Sequence, residues 1–220
     1  MKRKQFKISR HPTYEEASLF CEVCYSVYRC WVTYKIVFEE INPLLRREGK
    51  FSLWGFKNSP IGSALSIFDR TLGNQIVLEI TKLHDSARMG EYENVCIDLY
   101  VSFVEWSDEE LPIIKNLQEE LEEHFNWLKP ARNKMLAHND RTVLNSLVSL
   151  GGFPDGVDDD YFRILGEFCT LIRQKFQLDY PPFYRNKKFL FNKEGNPRDP
   201  YCPVHNAREF RDMIVRSSIC

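Results

Sequence analysis

No run of 18 uncharged apolar residues occurs in this chain, so no segment is expected to cross a membrane as a helix. The opening Met1-Lys-Arg-Lys-Gln is followed by no apolar stretch of the kind a secretory signal carries, so a cytoplasmic protein is expected. Charge of one sign is also lacking: 30 Lys+Arg stand against 31 Asp+Glu, for a formal net charge of −1. That balance excludes a molecule-wide polyanion-binding surface, and any nucleic-acid contact has to come from a local patch. There is no internal repeat and no low-complexity tract, which argues against solenoid architectures. The seven cysteines cannot all pair; without a signal they are read as reduced, buried thiols. What is present is core material: 43% hydrophobic residues, 14% aromatic and 28% charged, over 220 residues. This is the composition of a globular chain built on one main domain.

The hydrophobic period is helical almost throughout. Phe20, Val23, Val27, Trp31, Tyr34, Phe38 and Ile41 recur at three- and four-residue steps, which predicts one long helix over 13–42. Thr13 with Glu16 forms a capping-box pair at its start. Ser59-Pro60 opens a second helix, running through Ile80 and Leu83 to about Asp85. The run 94–105 suits a strand or a short helix, and the helical surroundings favour helix. Ser107-Asp-Glu-Glu starts a further helix, with Ile114, Leu117, Leu121, Phe125 and Leu128 as its apolar stripe. Asp158-Asp159-Asp160 starts another, carrying Phe162, Leu165 and Ile172 inward. The fold class expected is all-α, a helical bundle over 1–180. Residues 181–220 form a loosely structured basic C-terminal extension with a final helix from Ala207. Residues 183–220 hold eight Lys/Arg and four Asp/Glu, a net +4.

One strip breaks the pattern: KPARNKMLAHND, residues 129–140. Pro130 removes a helical hydrogen bond and its ring meets the Asn126 carbonyl. Lys129 is a poor cap, so a continuous kinked helix is expected here rather than a clean restart. Arg132 and His138 are six positions apart, which at about 100° per residue separates them by roughly 240° around a straight helix. They converge only through the kink or against a second copy of the chain, so a catalytic role for the pair implies a dimer. The chemistry suits RNA cleavage. An imidazole titrates near neutrality and can exchange a proton with a 2′-hydroxyl or a leaving oxygen. A guanidinium forks onto phosphate oxygens and stabilises developing charge. Asn133 can orient either group, and no metal or other cofactor is required.

The RNKMLAH core of this strip resembles the signature of the HEPN superfamily (higher eukaryotes and prokaryotes nucleotide-binding). The fuller ARNKMLAHND, with EITKLHDSA at 79–87 upstream, is similar to its abortive-infection AbiU-type branch. That branch has a related hydrophobic–basic–Leu–x–Asp element at the end of a long helix, which Asp85 matches. The resemblance spans roughly residues 13–178 and implies a HEPN-like helical bundle. It further implies a metal-independent endoribonuclease acting as a homodimer, in phage defence or a toxin–antitoxin system, with an antitoxin or defence-system protein as a partner. Carried over, Arg132 is the phosphate-binding group, Asn133 its polar neighbour and His138 the acid/base. Lys134 is a further substrate-binding position, and Asp85 and Asp140 support the site. Asp140 stands where some members carry a tyrosine that an antitoxin modifies, so that mode of control is not expected.

Plainer readings stand beside these. Arg132 can pair with Glu122 or Glu123, and His138 can sit at a helix end. The chain is then a non-catalytic helical interaction module binding a protein partner or RNA. Cys21-x-x-Cys24 and Cys202-x-x-His205 have zinc-ligand spacing, but two cysteines within a periodic helix are read as buried hydrophobes. The eight carboxylates between 105 and 123 are read as a solvated face. Lys187 and Lys188, beside Tyr184, Phe189 and Phe191, mix cations with aromatics as single-stranded nucleic-acid sites do. His84 is read as a helix end, and His11, His124 and His205 show no partner pattern.

Overall fold

A computed structural model describes residues 11–39, 60–130, 153–179 and 203–217. Their order is α1 (Tyr14–Tyr34), a π-helical turn (Lys35–Glu39), α2 (Pro60–Leu83), β1 (Arg88–Met89), β2 (Tyr92–Glu93), α3 (Ile97–Phe103), α4 (Glu110–Phe125), α5 (Val157–Phe176) and α6 (Pro203–Ser217). The described chain is thus all-α apart from one two-stranded hairpin. No described helix is long and apolar enough to cross a membrane. Two compact units divide it: residues 1–24 with 77–182, and residues 25–76 with 183–220.

In the first unit, α4 lies along α5 and α3 packs on α4. The apolar stripe of α4 is inside as its spacing requires: Ile114, Leu117, Leu121, Phe125 and Leu128 are all buried. The stripe of α5 matches it with Phe162, Leu165, Phe168 and Ile172. On α1 the buried face is rotated by about one position from the expected one. Ala17, Phe20, Cys21 and Cys24 are buried while Val23 is only half-buried. Aromatic contacts tie the helices together: Phe20 meets Tyr100 of α3 at 4.6 Å and Phe168 of α5 edge-on at 5.9 Å.

The helix starts are written in the sequence. Glu16 accepts the Thr13 N–H at 2.7 Å while Thr13 Oγ1 accepts the Glu16 N–H at 3.3 Å. Ser107 and Glu110 repeat the exchange at 3.1 and 3.2 Å before α4. Both are reciprocal capping boxes satisfying otherwise orphaned donors. Replacing Thr13 with alanine is expected to lower stability by about 1 kcal/mol. The check is a lower urea midpoint with an unchanged slope.

The hairpin was not anticipated, and its signal is one residue. Gly90 has φ +65° at the first loop position and Glu91 is not in the left-handed region, the pattern of a II′ turn. The Asp98 carboxylate at the start of α3 accepts the Ala87 N–H at 2.9 Å, which fixes the hairpin base against that helix.

Three other expectations are corrected. The helix expected over 13–42 changes to π geometry at Lys35, and residues from 40 onward lie outside the described set. The segment around Pro130 is not a continuous kinked helix. Helix α4 ends at Phe125, residues 126–128 form turns, and helix resumes at Lys129. The Trp127 and Leu128 N–H groups bond back only three residues, to His124 and Phe125. Leu128 still reaches the core, so the tightened turn preserves burial where Pro130 would disrupt a regular ladder. The final helix starts at Pro203 rather than Ala207, with proline in its first turn where no N–H partner is lost.

In the second unit, Val37, Leu65 and Ile214 form a small core, with Phe38, Phe210 and Val215 packed against it. Phe68 bridges Phe38 and Phe210 at 5.9 and 6.1 Å. Helix α6 packs on the π turn.

Candidate functional site

The last turn of α2 places His84 one helical turn beyond Ile80, on its buried face. The turn tightens as it ends, with His84 and Asp85 N–H groups bonding to Thr81 and Lys82 carbonyls. The His84 side chain is 3% exposed. Its ring stacks on Phe125 of α4 at 4.1 Å and 7°. Nδ1 lies 3.0 Å from Glu122 Oε2 and Nε2 lies 3.1 Å from the Tyr161 hydroxyl on α5. Glu122 Oε1 accepts from Lys129 Nζ at 2.7 Å, and that ammonium stands 5.6 Å from the Phe125 ring centroid.

The proton inventory has one consistent solution. Glu122 is held ionised, down to about 2, first by the His84 hydrogen bond and further by Lys129. A carboxylate only accepts, so Nδ1 carries the proton. Burial lowers His84 from its ordinary 6.5, outweighing Glu122, which keeps the imidazole neutral and leaves Nε2 as an acceptor. Burial raises Tyr161 well above 10.0, so its hydroxyl donates. The chain of donation runs Tyr161 → His84 → Glu122 ← Lys129, with both ring nitrogens satisfied. Each such bond contributes about 0.5–1.5 kcal/mol, and losing one partner of a buried pair costs about 1–3 kcal/mol.

A hydroxyl, an imidazole and a carboxylate in this order form the relay of nucleophilic catalysis. Here the hydroxyl is sealed: Tyr161 is 0% exposed and protonated at neutral pH. The cluster holds structure together and presents to solvent the Glu122–Lys129 pair, both half-exposed.

Of the residues the sequence singled out, Asp85 follows His84 directly and is half-buried. Its charge favours the His84 cation, the smallest of the influences on that ring. Arg132, Asn133, Lys134, His138, Asp140, Lys187 and Lys188 lie outside the described residues. Glu122, one candidate partner for Arg132, is engaged by His84 and Lys129. The other described histidines do have partners: His11 with the Phe103 carbonyl and Glu105, His124 with the Glu120 carbonyl, His205 with Glu209. Sequence reading passed over His84 because its partners are 38 and 77 residues away. The available signal was a histidine in core register after Ile80, and a carboxylate beside the α4 stripe.

Cys21, Cys24 and Cys169 are buried free thiols in the first unit. Cys21 is raised chiefly by its hydrogen bond to Cys169 and Cys24 chiefly by burial, so they stay protonated and unreactive. Among the described residues no group of three or more His, Cys, Asp or Glu side chains is placed to hold a metal ion. The second unit has an open cleft of ≈ 470 Å³ lined by Tyr34, Ile67, Asp69, Arg70, Gly73 and Asn74. No family model, curated protein or solved structure matches this chain.

Proposed function

We propose that the chain is a metal-independent endoribonuclease of HEPN type, acting as a homodimer in phage defence or a toxin–antitoxin system. The observation that carries the reading is the Arg132-Asn133…His138 strip, an arginine with a polar neighbour and a histidine a short gap later. Its all-α setting and the Asp85 element upstream agree with it. In this reading His138 takes the proton from a ribose 2′-hydroxyl. The 2′-oxygen then attacks phosphorus and the P–O5′ bond breaks. The His138 of the second copy returns a proton to the leaving oxygen. The products are a 2′,3′-cyclic phosphate and a 5′-hydroxyl end. Arg132 binds the phosphate oxygens as charge builds, Asn133 orients, and Lys134, Lys187 and Lys188 supply backbone contacts to RNA. The test is incubation of purified protein with assorted RNAs in EDTA, beside Arg132→Ala and His138→Ala. Cleavage with cyclic-phosphate ends, lost in both variants, is the expected result. No cleavage by the wild type, or equal cleavage by both variants, sinks the reading.

A second reading, a non-catalytic interaction module, draws on Ile113 and Trp127, large hydrophobics 52% and 54% exposed beside the acidic α4 surface. It requires that His138→Ala leave partner binding and biological effect intact.

A further inference from the structure

The open cleft of the second unit lies between the end of α1 and the middle of α2, wholly within residues 25–76. One wall is fixed by packing. The Tyr34 ring lies on Phe38 at 5.4 Å, and Phe38 lies on Phe68 of α2 at 5.9 Å. Beside the Tyr34 ring stands Gly73, where a methyl group would sit 3.8 Å from Tyr34 Cε2. Glycine weakens a helix interior relative to alanine. Here its missing side chain leaves the gap beside the ring open.

The polar groups around this gap are uncommitted. Asp69 and Arg70 are adjacent, about 100° apart around the helix, and they do not pair with each other. Arg70 and Asn74 are four positions apart and share a face. Ile67, 57% exposed, continues that face one turn earlier. Among the described residues, none makes a side-chain hydrogen bond or ion pair with Asp69, Arg70 or Asn74. The cleft thus gathers a carboxylate, a guanidinium, an amide and an aromatic ring that have no other partner to satisfy on that side. A guanidinium forks onto a carboxylate, and a carboxylate accepts from an ammonium. A cleft of ≈ 470 Å³ is of the size that holds a small molecule.

We propose that this cleft binds a free α-amino acid with an aromatic side chain. Its carboxylate lies on Arg70 and Asn74, its ammonium on Asp69, and its ring against Tyr34 in the gap at Gly73. The site shares no residue with the nuclease strip and stands apart from that reading.

The test titrates the full chain with L-phenylalanine, 3-phenylpropionate and 2-phenylethylamine, followed by calorimetry or ligand-observed NMR. The second compound lacks the ammonium and the third lacks the carboxylate. For L-phenylalanine a Kd on the order of 1 mM is expected, as suits a ligand of this size in an open cleft. Each truncated compound is expected to bind about tenfold more weakly, the loss of one charge-assisted contact. Arg70→Gln and Asp69→Asn, both on the surface of α2, are expected to weaken L-phenylalanine by a similar factor. Arg70→Gln leaves 2-phenylethylamine unaffected, and Asp69→Asn leaves 3-phenylpropionate unaffected. Gly73→Ala narrows the gap while favouring the helix, so binding falls with thermal stability kept. Equal affinity for the three compounds overturns the assignment. So does wild-type affinity for L-phenylalanine in any of the three variants, or no saturable binding of L-phenylalanine or L-tryptophan. RNA cleavage does not enter these measurements, so they decide the cleft whichever way the nuclease test falls.

Discussion

Replacing His138 with alanine is expected to lower RNA cleavage by about 10²–10⁴-fold, the usual contribution of a positioned general acid or base. An alanine at 138 can neither accept the 2′-hydroxyl proton nor protonate the leaving oxygen. Single-turnover rates at saturating RNA read the chemical step directly. The loss belongs in kcat, because an imidazole that exchanges protons adds little to ground-state binding. Arg132→Ala is expected to cost about 10²–10³-fold, as the loss of one charge-stabilising donor does. Arg132→Lys restores only part of it, since an ammonium lacks the planar fork. Mixing wild type with excess His138→Ala gives a sharper check of the homodimer. Because each cleavage draws on the His138 of both copies, mixed dimers are expected to lose activity, so the rate falls faster than the wild-type share of the mixture. Wild-type kcat in His138→Ala, with the fold intact, removes the nuclease.

The largest expected effect on stability is at His84. Phenylalanine there keeps a ring on Phe125 but removes both nitrogens. The Tyr161 hydroxyl, 0% exposed, is then left without an acceptor. Glu122 is half-exposed and keeps Lys129 and water, so most of the penalty arises at Tyr161. A loss of about 2–3 kcal/mol is expected, or roughly 5–10 °C in melting temperature for a chain of this size. Tyr161→Phe strands the imidazole in the same way. The double variant His84→Phe/Tyr161→Phe leaves neither group unpaired, and is expected to be more stable than the sum of the single losses predicts. Strict additivity would show that the 3.1 Å contact contributes nothing.

The same cluster fixes a pH dependence. His84 titrates below its ordinary 6.5 in the folded chain, so the unfolded chain binds the proton more readily. Stability from this group is therefore fully present above 6.5 and declines as pH falls below it. Glu122 is depressed from 4.5 to about 2, so its contribution is present above 4.5 and fades as pH falls toward 2. The sign is the same for both, and wild-type stability is expected to fall on acidification in two overlapping stages. In His84→Phe the first stage vanishes. The second shrinks, because the His84 hydrogen bond is the main cause of the Glu122 depression. Urea midpoints between pH 7 and 3 for the two proteins make the comparison.

Local rules and long-range pairing divide this protein between them. Periodicity alone placed α2, α4 and α5 and the α4 stripe from Ile114 to Leu128, because burial on one helix face repeats with the helical turn. The Thr13–Glu16 box was legible because both partners lie within one turn. The Arg132–His138 strip stood out for the same reason, its residues being close in sequence, but it lies outside the described residues and stays a proposal. What the sequence could not specify is who meets whom across the core. His84 looked like a helix end until α4 and α5 brought Glu122 and Tyr161 to its two nitrogens. The interruption after Phe125 was likewise a tertiary choice: Pro130 demanded some deviation, and keeping Leu128 buried favoured a tight turn over a bend. Short-range order follows from side-chain type and spacing; the identity of distant partners follows from packing, which only the folded chain decides.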